Sequence, residues 1–98
     1  MVGESNREIF LKMESDVAFD LLEKAGKQIG KIISSSKVTS SLEIKTRYGL
    51  QGIKMRVSLQ PNEGGTKVQI GGHGADIWGA GARKGADKLL KAIEELAG

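Results

Sequence analysis

Residues 38–73 of this 98-residue chain read VTSSLEIKTRYGLQGIKMRVSLQPNEGGTKVQIGGH, and apolar and polar side chains alternate along three runs within them. The runs span residues 38–48, 53–60 and 66–72. Their apolar positions are Val38, Leu42, Ile44, Tyr48, Ile53, Met55, Val57, Leu59, Val68 and Ile70. Because successive side chains of a strand point to opposite faces of its sheet, a period of two predicts three strands with one buried and one exposed face.

Short glycine-containing links join the three runs. Residues 48–52 carry two glycines, and residues 61–65 read Pro-Asn-Glu-Gly-Gly, a strong turn sequence. Links this short join neighbouring antiparallel strands. Residues 38–73 therefore predict an antiparallel meander.

The flanking segments supply another strand and two helices. Residues 8–14 alternate as a strand does, although Phe10 falls on the polar face. Ser15 is placed as the N-cap of a helix that runs to about residue 33, with Gly26 and Gly30 at points of close packing. The serines at 34–36 are expected to form a connection, and residues 82–97 a second amphipathic helix.

These elements predict a single α+β domain over residues 1–98. We expect a four-stranded antiparallel sheet with two helices packed on one face, in the order β-α-β-β-β-α, because that arrangement buries every apolar stripe together. The opposite face of the sheet would then remain in water, as antiparallel sheets allow.

Composition excludes several classes of function. The chain has no cysteine, which excludes disulfides and thiolate chemistry and is compatible with a reducing cytoplasm. The net charge of +3 is spread along the chain, and no apolar run is long enough to cross a membrane. With a single histidine, no metal site or cofactor is expected. A small, soluble, cytoplasmic, non-catalytic binding domain is the expectation, with an enzyme as the weaker alternative.

Residues 38–97 resemble small uncharacterised bacterial proteins related to the helix-grip fold, which is START-like or polyketide-cyclase-like. The resemblance rests on the last three strands, the tetrapeptide Asp76-Ile77-Trp78-Gly79 and the closing helix. A second resemblance, of topology alone, is to the TATA-binding-protein-like fold. Helix-grip proteins usually close their sheet around an apolar cavity, so this resemblance implies an apolar ligand.

Two binding hypotheses follow. An apolar ligand or protein partner would use a pocket whose candidate lining residues are Phe19, Tyr48, Met55 and Trp78. An anion or a nucleic acid, the less expected ligand, would use basic residues of the exposed sheet face and of the second helix's first turn. Those candidates are Lys45, Arg47, Lys54, Arg56, Lys67, Arg83 and Lys84. Unpaired edge strands also leave room for a homodimer.

Catalysis has one candidate. His73 is followed three residues later by Asp76, and with a hydroxyl such as Ser58 the pair would resemble a hydrolase's base and nucleophile. No G-x-S-x-G nucleophile motif accompanies them. A loop histidine without a catalytic role is the favoured interpretation.

Overall fold

The computed structural model describes residues 3–74 and 80–97. Five strands and two helices follow one another in these residues. They are β1 (Gly3–Leu11), α1 (Ser15–Ile29), β2 (Lys31–Ser36), β3 (Ser41–Tyr48), β4 (Gln51–Asn62), β5 (Gly65–Gly74) and α2 (Ala80–Ala97).

The strands form one antiparallel sheet in the order β1-β5-β4-β3-β2. The meander β2 to β5 pairs in sequence, and β1 returns to pair with β5, the last strand. Both helices pack on the same face of the sheet. The α+β class and the one-sided helix layer predicted from the sequence are therefore confirmed. The predictions of four strands and of the order β-α-β-β-β-α are wrong, because four strands and not three follow α1.

The additional strand is β2, which the sequence assigned to the end of α1 and to a serine connection. Helix α1 ends at Ile29 because Gly30 passes directly over β3, where an added Cβ would overlap the carbonyl oxygen of Lys45. Beyond Gly30 the chain is extended, Ile32 pairs with Ile44, and a bulge at Ile33 shifts the register. The spacing of Ile29, Ile32 and Ile33 fits a helix and a bulged strand equally. Periodicity alone therefore predicted a helix where the structure has the start of β2.

Several element bounds also differ from prediction. Strand β1 begins at Gly3 and ends at Leu11, earlier than the predicted 8–14. Val38 was expected to lie inward on a strand, but it occupies the turn before β3 and is 96% exposed. Ser15 is not the N-cap of α1: Glu14 takes that place without a side-chain capping bond, and the Ser15 hydroxyl lies 3.2 Å from that of Thr66.

The core lies between the sheet and the two helices. Its largest fully buried apolar side chains are Leu22, Leu42, Ile44, Ile53, Met55, Val57, Val68, Ile70 and Leu89. The predicted inward phase of β3, β4 and β5 is thus confirmed from Leu42 onward. Small residues bring α2 close to the sheet, since a Cβ added to Gly85 would lie 2.8 Å from Cγ2 of Ile53.

Candidate functional site

The exposed face of the sheet carries a row of cations that crosses three adjacent strands. Lys31 of β2 lies opposite Lys45 of β3, and Lys45 lies opposite Lys54 of β4. We call Lys31, Lys45 and Lys54 the basic row. All three are exposed, and none forms an ion pair with a carboxylate among the described residues. The register continues through His73 of β5 to Glu4 of β1.

Two other cations on the same face, Arg56 and Lys67, are neutralised by carboxylates. Nη2 of Arg56 lies 3.1 Å from Oε1 of Glu43, its direct cross-strand partner. Nζ of Lys67 lies 3.2 Å from Oε1 of Glu8 on β1. Opposite charges on neighbouring strands stabilise a sheet modestly, whereas like charges directly opposite each other destabilise it. The face therefore divides into the basic row and a region of paired charge.

Glycines lie beside the basic row on β4 and β5. The aliphatic part of Lys45 lies over Gly52, where an added Cβ would come within 3.2 Å of its Cε. A shallow depression of about 290 Å³ lies over Gly71 and Gly72 and is bordered by Asn6, Lys54, Arg56 and His73. The depression is open to solvent and bordered mainly by polar and cationic side chains.

A second cationic region lies at the same end of the sheet but on its helix side. Tyr48, the last residue of β3, is 40% exposed and lines a groove of about 420 Å³ between β3 and α2. We call it the Tyr48 groove. The other residues that line it are Arg47, Gly49, Lys84, Asp87, Lys88 and Lys91.

The predicted pocket residues do not converge. Met55 is fully buried in the middle of β4, and Phe19 of α1 is buried beside Lys37, whose Nζ lies 5.7 Å from the ring centroid. Tyr48 lies at the edge of the domain, in the groove just described. Trp78 falls outside the described residues.

Of the predicted cations, the structure gathers Lys45, Arg47 and Lys54 at one end of the exposed face. Arg56 and Lys67 lie on that face in ion pairs. Arg83 and Lys84 lie exposed on α2, on the far side of the sheet. The sequence does not identify three cations of the basic row and the Tyr48 groove. Lys31 falls in a segment whose periodicity also fits a helix, and nothing local places Lys88 and Lys91 beside Tyr48.

His73 lies in β5 on the exposed face, not in the predicted loop, and Lys54 is its neighbour on β4. Ser58, also on β4, is four residues from Lys54, which is about 13 Å along a strand. That separation is too long for a hydrogen bond to His73, and Asp76 lies outside the described residues. Across residues 3–74 and 80–97 no group of three metal-ligating side chains comes together.

Neither described helix has the length and apolar character that spanning a membrane requires. In comparisons with known proteins, the chain matches no protein-family model and no curated protein sequence.

Proposed function

We propose that the protein binds nucleic acid through its phosphate backbone, with the basic row as the primary contact. The observation that carries this proposal is the direct cross-strand register of Lys31, Lys45 and Lys54. Like charges placed opposite each other cost a sheet stability. An anionic ligand would relieve the repulsion among the three lysines, and that relief would favour binding.

The contrast within the face supports this interpretation. Glu43 neutralises Arg56 two residues along β4 from Lys54, so carboxylates are placed on this sheet where they stabilise it. No described carboxylate pairs with the basic row. Functional sites commonly contain unfavourable local interactions, such as these unpaired like charges, within a structure that is otherwise arranged for stability.

The dimensions of the basic row suit a polyanion. Adjacent strands lie about 4.8 Å apart, so the three lysine positions span roughly 10 Å across the sheet. A nucleic acid strand carries one negative charge per nucleotide, so the row can face consecutive phosphates of one strand. Arg47, exposed on the same face next to Lys45 in the alternation of β3, extends the positive surface.

Polar groups elsewhere on the exposed face suit sugar and phosphate oxygens. Ser34 lies opposite Glu43, and Ser58 lies between Ser41 and Gln69 in the cross-strand register. Hydroxyl and amide side chains supply many of the backbone contacts in protein–nucleic acid complexes. Binding through such groups would be largely independent of base sequence.

An apolar ligand, which the helix-grip resemblance implies, has less support. Phe19 and Met55 fill the core and line no described depression, and the depressions on the exposed sheet face are bordered mainly by polar groups. A hydrolase activity has no described nucleophile near His73. Nucleic-acid binding is therefore the function that the described surface supports best.

The test is fluorescence anisotropy with a labelled oligonucleotide over a series of salt concentrations. Lys54→Gln and Lys45→Gln should each weaken binding and lower the slope of log K against log salt by about 0.7–0.9, the value for one lost phosphate contact. Lys24→Gln is the matched control, because it removes one exposed charge from α1, on the other side of the sheet. It should leave affinity and slope nearly unchanged.

Two outcomes would contradict nucleic-acid binding through this face. One is an affinity that does not respond to salt. The other is an equal loss of affinity for Lys54→Gln and Lys24→Gln, which would indicate attraction by net charge alone.

A further inference from the structure

We infer that the nucleic acid bound by this protein is single-stranded, and that one of its bases stacks on Tyr48 while the lysines of α2 hold the adjoining phosphates. This inference rests on the proposed function and deepens it, because it names the form of nucleic acid and adds the Tyr48 groove as a second site.

The Tyr48 groove combines an aromatic ring with a set of cations. Lys84, Lys88 and Lys91 recur at intervals of four and three residues, which places them along one side of α2. Asp87 also lines the groove, but its Oδ1 lies 2.9 Å from Nη2 of Arg7 on β1 and is neutralised there. The groove is therefore strongly positive around an exposed aromatic side chain.

Hydrogen bonds hold the two walls of the groove together. Nζ of Lys88 lies 3.3 Å from Oγ1 of Thr46 and 3.2 Å from the carbonyl oxygen of Arg47, and it donates to both. The Thr46 hydroxyl in turn donates to the carbonyl oxygen of Ile29 at the end of α1, at 2.8 Å. These bonds hold Lys88 of α2 against the end of β3, next to Tyr48.

The two cationic regions lie on opposite faces of the same strand. In β3, Lys45 lies on the exposed face, whereas Thr46 and Tyr48 lie on the helix side. Arg47, between them at the end of the strand, also borders the Tyr48 groove. A stiff duplex or a flat membrane would reach only one of these faces. A flexible single strand can pass around the end of the sheet, from the basic row to the groove.

A site for phosphate alone needs only cations, whereas this groove also contains the aromatic ring of Tyr48. Base stacking explains why a ring is there. Proteins that bind single strands without sequence preference pair a positive groove with aromatic side chains, because every base has a face that can stack. Tyr48 as a residue is 40% exposed and lines the groove, so a base can reach its side chain from solvent. The lysines of α2 would then contact the phosphates on either side of the stacked base.

The experiment compares three labelled probes by fluorescence anisotropy at low salt. They are an oligothymidylate of about 16 nucleotides, the same strand with abasic positions in place of the bases, and a duplex of equal length. Tyr48→Ala should weaken oligothymidylate binding by about fivefold to a hundredfold, the range that loss of one stacked base produces. Tyr48→Phe, which keeps the ring, should bind like the unaltered protein.

Two further results are expected from the same measurements. Tyr48→Ala should bind the abasic strand as tightly as the unaltered protein does, because no base is left to stack. The unaltered protein should bind the oligothymidylate more tightly than the duplex. Tyr48→Leu keeps apolar bulk without a ring and should behave like Tyr48→Ala, so that a loss of packing is not mistaken for a loss of stacking.

The outcomes separate this inference from the proposed function. If Lys54→Gln weakens binding but Tyr48→Ala does not, or if the duplex binds as tightly as the single strand, the stacking site is wrong and nucleic-acid binding stands. If neither nucleic acid binds in a salt-dependent way, both are wrong. Binding to vesicles of anionic lipid instead, abolished by Leu50→Ser at the fully exposed β3–β4 turn, would also overturn both and indicate a membrane surface.

Discussion

The two faces of β4 show how differently the two sides of this sheet are built. On the helix side, Ile53, Met55 and Val57 are fully buried and their positions follow from packing alone. On the other side, Lys54 lies opposite another lysine, whereas Arg56, two residues further on, lies opposite a glutamate. Packing and charge pairing explain the first face and part of the second. The basic row is the part that stability does not explain, which is why we assign it to binding.

The largest effect is expected on the buried face. Met55→Ala should lower the free energy of unfolding by about 2–5 kcal/mol, because it removes most of a fully buried side chain and leaves a cavity in the core. Met55→Leu nearly conserves the volume and should cost less than about 1.5 kcal/mol. Urea unfolding followed by circular dichroism measures both. Similar small losses for the two variants would show that the core is not closely packed around β4.

The next largest loss of stability is expected at Thr46, a buried polar residue on the helix side of β3. Thr46 is buried, donates to the carbonyl oxygen of Ile29 and accepts a bond from Lys88. Thr46→Val keeps the shape but leaves that carbonyl without its partner, so we expect a loss of about 1–3 kcal/mol in urea unfolding. Thr46→Ser is the control and should retain most of the stability. If Thr46→Val were as stable as the unaltered protein, the bonds that join α1, β3 and α2 would have no structural role.

On the exposed face, one variant should change stability and binding in opposite directions. Lys54→Gln removes a like-charge neighbour of Lys45 and should stabilise the protein by up to about 1 kcal/mol in urea, most clearly at low salt. The same variant should bind oligonucleotide more weakly. If Lys54→Gln destabilised the protein, the basic row would be contributing to the fold and its assignment to binding would lose its basis.

The smallest effect is expected in the region of paired charge. Glu43→Gln removes the partner of Arg56, whose side chain is largely exposed, and should lower stability by about 0.2–1 kcal/mol. Because the variant also frees a cation beside the basic row, it should tighten oligonucleotide binding slightly. Urea unfolding and anisotropy at matched salt measure the two changes. Weaker binding would show that Glu43 contributes to the ligand site.

The sequence by itself determined which face each residue of β3, β4 and β5 occupies. The alternation from Leu42 to Ile70 is local, and a strand has no other way to separate apolar from polar side chains. Local patterns also predicted that two helices and short antiparallel turns exist, but not that α1 ends at Ile29. Part of the candidate site was also predictable, because Lys45, Arg47 and Lys54 belong to the alternation of β3 and β4.

Only the tertiary structure decided which cations stand together. Lys31 joins the basic row because Gly30 ends α1 against β3 and starts a bulged strand whose isoleucines also fit a helix. Lys88 and Lys91 come to Tyr48, about forty residues away in the chain, because α2 packs on the sheet. A local pattern fixes the direction of a side chain, but neighbours distant in the chain are set by strand register and helix packing, which depend on the whole core.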